Sequence, residues 1–485
     1  MLIPNEGKAI IIGGSIAGLM TAKAVSQFFE EILIIDKDEF SAAPENRAGT
    51  PQAFHPHRFT QRGKLITEKL FPGYEEDLLA QGAPSSFNKI VFNMNAYGSF
   101  EGKYPRHDIK FSRAVLEWVL RQRVMAMPQV RFLTKCDVVG LLASPDGAAV
   151  NGVRVRDREA GREERTLHAD WVFDASGRGS RLPEWLEGLG YPVPKPDVLK
   201  KSLGYSTRRY RVPADMSHIP EQWDVVNIAG QPVQGTLTGV FSFIEHNVAE
   251  VLLYRPGGQY PPTDEASFEQ AVAALPSPLI DELTRKLEPI TAPRAFRVPE
   301  LYRRHYERME RWPAGLLVLG DALCIYDPIY GQGMTVAAIE AEALEACFKK
   351  RSEESTDGFE KEVLNQLQRV IEPAWWLNCA EGMQWNGVSY EGAEPLKGIA
   401  FGSKYMDLYL KHATQRQDHK LFGLYWAVNT LMLSPGEILN PEMVRSVLSA
   451  SEEGEQWLRE LEERHGGSLE AALEEMLPDF ARDRP

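Results

Sequence analysis

Three short apolar strands in this sequence each run straight into a glycine-bearing turn, and that arrangement restricts the fold more than any other feature. Lys8 to Ile12 (KAIII) leads into Gly13-Gly14-Ser15-Ile16-Ala17-Gly18. A helix expected over Leu19 to Phe29 follows, then a second strand, Ile32 to Ile35, that ends in Asp36. Trp171-Val172-Phe173 leads into Asp174-Ala175-Ser176-Gly177-Arg178-Gly179. Leu316 to Leu319 leads into Gly320-Asp321, and Asp327 to Met334 then opens an Ala-rich helix running to about Lys350. Only the first junction has the strand–turn–helix–strand order of a phosphate-binding unit, with an acid about 20 residues beyond its glycines. The three junctions therefore read as neighbouring strand ends of one parallel sheet that face a single long ligand, not as three nucleotide folds.

The residue types at the first junction suit that ligand. Gly13 permits the tight turn, the small residues let backbone approach a pyrophosphate, and Gly18 lets helix and strand pack closely. The helix start offers unpaired N–H groups and the positive end of a dipole to phosphates. Asp36 can accept hydrogen bonds from a ribose. Ser15 stands where the second glycine of the fingerprint is usual, and its side chain is small enough to fit.

Composition excludes several protein classes. A chain of 485 residues with 43% hydrophobic content is a multi-core globular protein, not a disordered one. With 54 Lys+Arg against 68 Asp+Glu the net charge is −14, which argues against nucleic acid as a partner. Cys136, Cys324, Cys347 and Cys379 form no CxxC pair, so a reducing, cytoplasmic compartment without a disulfide framework is expected. Met1 to Glu6 lacks a basic and then apolar leader. The longest uncharged apolar stretch, Leu421 to Leu433, is shorter than the ~18 to 20 residues of a spanning helix. It is expected to be a buried helix, and no transmembrane segment is expected.

The sequence resembles the class A FAD-dependent monooxygenases of the para-hydroxybenzoate hydroxylase fold, over at least residues 8–350. It looks closest to the bacterial branch of polyether-type epoxidases, squalene-epoxidase-like enzymes and related natural-product hydroxylases. The resemblance rests on GGSIAGL at 13–19, RAGTPQ at 47–52, SRAVLE at 112–117, DASGRGSR at 174–181, YPPTDE at 260–265, RRHYERM at 303–309 and GDALCIYDPIYGQGMT at 320–335. It implies an α/β fold: a Rossmann-like, glutathione-reductase-type FAD-binding domain over 1–82, 106–199 and 296–350. A mixed β-sheet substrate domain would be inserted at 83–105 and 200–295, with C-terminal helices over 351–485.

Carried over by position, the resemblance implies that Gly13, Gly14, Ser15, Ala17 and Gly18 hold the FAD pyrophosphate and Asp36 the adenosine ribose. Arg113 would pair with the phosphates or ribityl chain, and Arg47 would sit nearby. Val138 would meet the adenine through its backbone, Asp321 would bind a ribityl hydroxyl, and Pro328, Gly331, Gln332, Gly333 and Met334 would lie along the flavin ring. Gly331 and Gly333 would keep side chains off the ring, and the helix start would stabilise negative charge on reduced flavin. The implied reaction takes two electrons from NADPH, NADH or a separate flavin reductase. A flavin C4a-hydroperoxide formed with O2 then passes one oxygen to a hydrophobic or aromatic substrate.

Several readings stand side by side. Many class A enzymes carry an aspartate where Ser176 stands, with Asp174 two residues earlier here, which leaves the docking of NAD(P)H open. Asp327 is the one candidate proton-handling residue, and otherwise a turn-former. Alkene epoxidation needs no protein base, whereas phenol hydroxylation gains from one. No His or carboxylate is placed by sequence for that task, which favours a non-phenolic substrate. His55-Pro56-His57 lacks the carboxylate or cysteine company of a metal site, and Cys324 reads as a packing residue. Aromatic residues from Trp375 to Trp426 would suit either a pocket wall or a helix-packing core. A halogenase would share the fold, but Pro373-Ala374-Trp375-Trp376 does not match the WxWxIP segment of those enzymes. A flavin dehydrogenase or reductase would share it too, as would a flavoprotein that uses FAD as a scaffold for a non-redox cyclisation.

Overall fold

The structure is a computed structural model that describes residues 7–103, 108–159, 163–351 and 358–481. The Met1 to Glu6 segment and the boundary expected near 105–106 lie outside the described residues.

Three sheets form within them. The first is parallel, in the strand order Leu316–Val318, Trp171–Asp174, Lys8–Ile12, Glu31–Ile35, Val130–Leu133. Ile10, Ile11, Ile32, Val172, Phe173, Leu316 and Leu317 are fully buried. Helices such as Ile16–Val25 and Arg113–Met125 and the antiparallel strands Cys136–Ala143 and Val150–Asp157 pack against them, so these strands read as continuous apolar runs without alternation. Ile12 and Val318 both pair with Asp174, so the three glycine junctions emerge side by side at one edge. The first helix spans Ile16–Val25 and not Leu19 to Phe29. It starts at the turn itself, and Phe28 and Phe29 fold back into the core beyond its end at Ser26. It packs on the long helix Gln332–Arg351 that leaves the third junction.

The second sheet is mixed and nine-stranded. Its spine, Asp197–Arg211, pairs with Val248–Arg255 on one side and Arg294–Arg303 on the other. Ile90–Asn95 and Gly98–Lys103 join through Trp223–Ile228. A bulge lies between Lys200 and Leu203, with Ser202 at φ +44°. The sheet runs past residue 295 and also takes in Ser389–Glu391 from the C-terminal region, so that region is not purely helical as expected. A third, antiparallel sheet of Cys136–Ala143, Val150–Asp157 and Glu164–His168 flanks the first.

The C-terminal helices include Phe359–Gly382, Ile399–Gln415 and His419–Asn429. The charged end is two helices, Glu452–Arg464 and Leu469–Met476, broken where Gly466 and Gly467 adopt positive φ. Most of the aromatic cluster is packing core: Trp375, Trp376, Trp385, Phe401, Tyr405, Tyr409 and Phe422 are buried. The Leu421 to Leu433 stretch is only partly covered; Tyr425 and Trp426 keep open surface. No helix among the described residues is long and apolar enough to cross a membrane.

Candidate functional site

At the first junction the backbone leaves no room for side chains. A Cβ on Gly13 would lie 2.4 Å from the Ala175 carbonyl oxygen, and one on Gly18 would lie 1.8 Å from the Gly13 oxygen. Gly14 N donates to Asp36 Oδ2 at 2.8 Å, and Asp38 N donates to Asp36 Oδ1 at 2.9 Å. Ser15 does not cap the helix it precedes. Its hydroxyl donates to Glu117 Oε2 and accepts from Arg113 Nη2, each at 2.7 Å. The first-turn N–H groups beside Ala17 are therefore left without a side-chain cap.

Glu117 is a site residue that sequence reasoning missed. It is buried, and it pairs with Arg47 Nε at 2.7 Å, Arg121 at 3.4 Å and Arg113 at 3.5 Å. Burial alone would raise its carboxyl, but Arg113 and Arg47 outweigh that and hold it below the usual range. Arg47 also pairs with Asp38 at 2.6 Å and Asp36 at 3.3 Å. Three arginines thus face three carboxylates, so the cluster keeps its guanidinium groups in place without a net charge. The available signal was the (i, i+4) spacing of Arg113 and Glu117 on one helix face.

At the middle junction Asp174 is wholly committed to its own turn, accepting from Ser176 N at 3.0 Å and Ser180 Oγ at 2.5 Å. At the third, the Asp321 carboxylate makes no hydrogen bond among the described residues. Burial raises it, and the nearby Arg113 and Arg178 oppose that rise. Val138 lies partly open on the strand whose Cys136 N donates to the Asp36 carbonyl at 3.1 Å. Gly320 N donates to Glu340 Oε2 at 2.8 Å. Burial of this second carboxyl, on the long helix, pushes it up to about 8.

This makes a pH test possible. A carboxyl raised in the folded chain contributes most below its unfolded value of about 4.5, and that contribution is lost as pH rises towards 8. Wild type should therefore lose stability relative to Glu340→Gln across that window, by up to about 1.4 kcal/mol per pH unit. Urea midpoints of both proteins from about pH 5 to 9 check this; parallel curves would refute it.

The turn at Asp327 is held from four directions. Asp327 Oδ1 accepts from Ile329 N at 3.0 Å, capping the Pro328–Tyr330 turn. Its other oxygen pairs with Lys201 of the mixed sheet, and both side chains are 0% exposed. Asp327 N donates to Asn378 Oδ1 at 2.6 Å, and Asn378 Nδ2 donates to Gln332 Oε1 at 2.5 Å. Gln332 Nε2 in turn donates to the Asn429 carbonyl at 2.7 Å. Glu381 lies 3.6 Å from Lys201. Burial opposes the Lys201 charge, but Asp327 and Glu381 together outweigh it and hold the ammonium. Burial leaves Asp327 above the usual carboxylate range despite Lys201. Gly331 has φ +65° and abuts Arg58, Met334 is buried, and Pro328 is exposed. A Cβ on Gly333 would meet nothing within 4 Å, so the space before this helix start is open.

Beside that turn lies a recess open to solvent. Pro328 and Ile329 form one wall, Tyr205 and Leu252 of the mixed sheet another, and Gln52, His55, Pro56 and His57 a third. Among the described residues no cluster of three metal-ligating side chains occurs, so His55 and His57 border this recess without the company a metal needs.

A phosphate loop, a parallel sheet with three aligned glycine junctions and an open helix start define a dinucleotide-binding flavoprotein. The chain belongs to the FAD binding domain family, which matches residues 6–351. It is 30% identical over 406 residues to Protein Rv3254 of Mycobacterium tuberculosis, covering 80% of this chain and 82% of that one. Its fold is similar to the flavin-dependent brominase Bmp2, with a TM-score of 0.61 at 14% identity over 95% of this chain and 99% of the other. It is also similar to PqsL, a probable FAD-dependent monooxygenase from Pseudomonas aeruginosa, with a TM-score of 0.55 at 14% identity over 86% and 99% of the two chains. The residues present fit FAD: uncapped N–H groups suit its phosphates, the unbonded Asp321 carboxylate suits a hydroxyl, and the space before Gly333 suits a flat ring.

Proposed function

We propose that this chain is an FAD-dependent monooxygenase that places one oxygen atom from O2 on a small apolar or aromatic substrate, by epoxidation or hydroxylation. The observation that carries this reading is the recess between the Pro328–Ile329 turn and the mixed sheet. It is bordered mainly by carbon and adjoins the open helix start. Gly13, Gly14, Ser15, Ala17 and Gly18 would hold the pyrophosphate, with Arg113 and Arg47 beside it. Asp36 would take the ribose and Val138 the adenine through its backbone. Asp321 would hold a ribityl hydroxyl, and Pro328 and Gly331 to Met334 would border the ring. The parallel-sheet unit is the FAD domain in this reading, the mixed sheet the substrate domain and 351–485 a helical cover.

Bound there, FAD supplies the two-electron and oxygen chemistry that side chains cannot. The chain's own residues position and shield. Thr60 Oγ1 donates to the Thr430 carbonyl at 2.8 Å, and Gln332 ties down Asn429. These bonds tie the end of the His419–Asn429 helix to Thr60 and to the start of the Gln332–Arg351 helix, and in this reading that helix end helps to exclude water. Asp327, paired to Lys201 and capping its turn, is a positioning residue in this reading. NADPH or NADH docking transiently, or a separate flavin reductase, would deliver the electrons. A place in natural-product chemistry in the cytoplasm, in the epoxidase-like branch, fits the resemblance in the motifs.

The test is a flavin absorbance spectrum of the purified chain, then NAD(P)H and O2 consumption with a panel of alkenes and phenols. Substrate-stimulated O2 uptake with an oxygenated product is expected. A colourless protein that FAD does not reconstitute, or turnover indifferent to O2, would sink the reading. The likeness to a brominase gives the assay a bromide arm, and a halide-dependent product would reassign the chain.

A further inference from the structure

We propose that His57 is the substrate-orienting residue of the recess, its Nε2 accepting a hydrogen bond from a hydroxyl or N–H group on an otherwise apolar, uncharged substrate. This rests on the monooxygenase reading and adds the substrate's polar handle to it.

The geometry fixes the sense of the bond. His57 Nδ1 lies 2.7 Å from the carbonyl oxygen of His55. A carbonyl has no proton to give, so Nδ1 carries the hydrogen and the neutral ring keeps its lone pair on Nε2. Nε2 makes no hydrogen bond among the described residues, and His57 lines the recess with Tyr205, Leu252, Pro328 and Ile329. Pro56 has a fixed φ, so the backbone that aims both histidines is stiff.

The ring also stays neutral. Burial first, then the nearby Arg113, lowers His57 to about 3, overcoming the bond to His55 that favours the charged form. A base that weak accepts a hydrogen bond but does not remove a phenol's proton, so the donor reaches it un-ionised. His55 is lowered to about 4 by burial and then by Arg209 and Arg294. Its Nδ1 faces Thr207 Oγ1 at 2.8 Å, a hydroxyl that can give or take, so His55 fixes no such sense. Around His57, Leu252, Pro328 and Ile329 bind carbon but cannot orient it, and Gln52 and the unpartnered Tyr205 hydroxyl are the polar groups that share the recess with the histidines. A carboxylate would meet the lone pair with its own and gains no hydrogen bond from Nε2. A ligand without a donor leaves a desolvated acceptor unpaired, which lowers affinity roughly 10- to 100-fold.

The experiment uses the FAD-loaded full chain and reads ligand-induced changes in flavin absorbance. The probes are 1-naphthol, naphthalene and 1-methoxynaphthalene, followed by indole against 1-methylindole. Wild type should bind each donor-bearing member roughly 10- to 100-fold more tightly than its partner. His57→Phe should abolish that preference while leaving FAD content, FAD affinity and the ligand-free spectrum unchanged. His57→Gln, whose carbonyl can accept, should restore part of it. Wild type that binds the members of each pair alike, or binds none of them, overturns the proposal, as does a His57→Phe protein that still discriminates. Loss of FAD or an altered ligand-free spectrum in His57→Phe also overturns it, because His57 would then serve the flavin. A holoenzyme that discriminates as expected yet consumes no O2 with any substrate would sink the monooxygenase reading and leave this site standing.

Discussion

Lys201→Met is expected to destabilise the protein by about 3–5 kcal/mol, the cost of leaving a buried charge without its partner. Lys201 and Asp327 are both 0% exposed, so water cannot replace the missing ammonium. Asp327 would then have to ionise alone or take up a proton, and Glu381 would lose a nearby cation. The damage would spread, because Asp327 also caps the Pro328–Tyr330 turn and reaches Gln332 through Asn378. FAD occupancy should therefore fall along with the melting temperature. The double variant Lys201→Met/Asp327→Asn removes both charges, keeps an oxygen for the Ile329 N–H, and should recover most of the stability. Urea denaturation of the three proteins, with FAD content measured alongside, decides the matter. A single variant within about 1 kcal/mol of wild type would show that the pair is not what holds the turn.

How much of this is legible in the sequence follows from where each interaction lies along the chain. The three glycine junctions are legible because each is local: apolar strand, glycine and acid within one turn. Their alignment follows from requiring one ligand, and Asp174 does pair with both Ile12 and Val318. The mixed sheet is legible in part from strand-like runs at Ser202 to Val212, Gly239 to Glu245 and Ala249 to Arg255, which overlap the paired strands Asp197–Arg211, Thr238–Ile244 and Val248–Arg255. Long-range polar pairing is not legible. Lys201 stands beside Lys200 in the sequence, and nothing local says that one faces solvent and Glu391 while the other is sealed against Asp327. The bulge at Ser202 helps to set that difference, and bulges leave no reliable mark in a single sequence. In the sequence His57 reads only as half of a poor metal motif, because pattern alone shows residue types and not lone pairs. Its significance depends on a carbonyl two residues away and on walls contributed by the sheet and the turn. The aromatic residues after Trp375 are ambiguous for the same reason: helical spacing says that a face is apolar, not whether a neighbouring helix or a ligand covers it.

Two glycines separate the fold from the ligand. Gly18→Ala would place a Cβ 1.8 Å from the Gly13 oxygen, a contact relieved only by moving the helix away from the strand. Both link the phosphate turn to the parallel sheet, so this variant should lose apo-protein stability and FAD affinity together, the latter by at least about 100-fold. Gly333→Ala adds the same methyl where no protein atom lies within 4 Å. Alanine also favours a helix by about 1 kcal/mol over glycine. The apo-protein should therefore melt at the wild-type temperature or slightly above it, while FAD affinity falls by roughly 10- to 100-fold because the methyl occupies the ring's approach. Thermal melts of the two apo-proteins, with FAD titrations followed by quenching of its fluorescence, separate the cases. Wild-type FAD affinity in Gly333→Ala would mean that the ring does not lie against this helix start. Joint loss of stability and affinity in both variants would mean that the open space before Gly333 belongs to the packing of the protein and not to the cofactor.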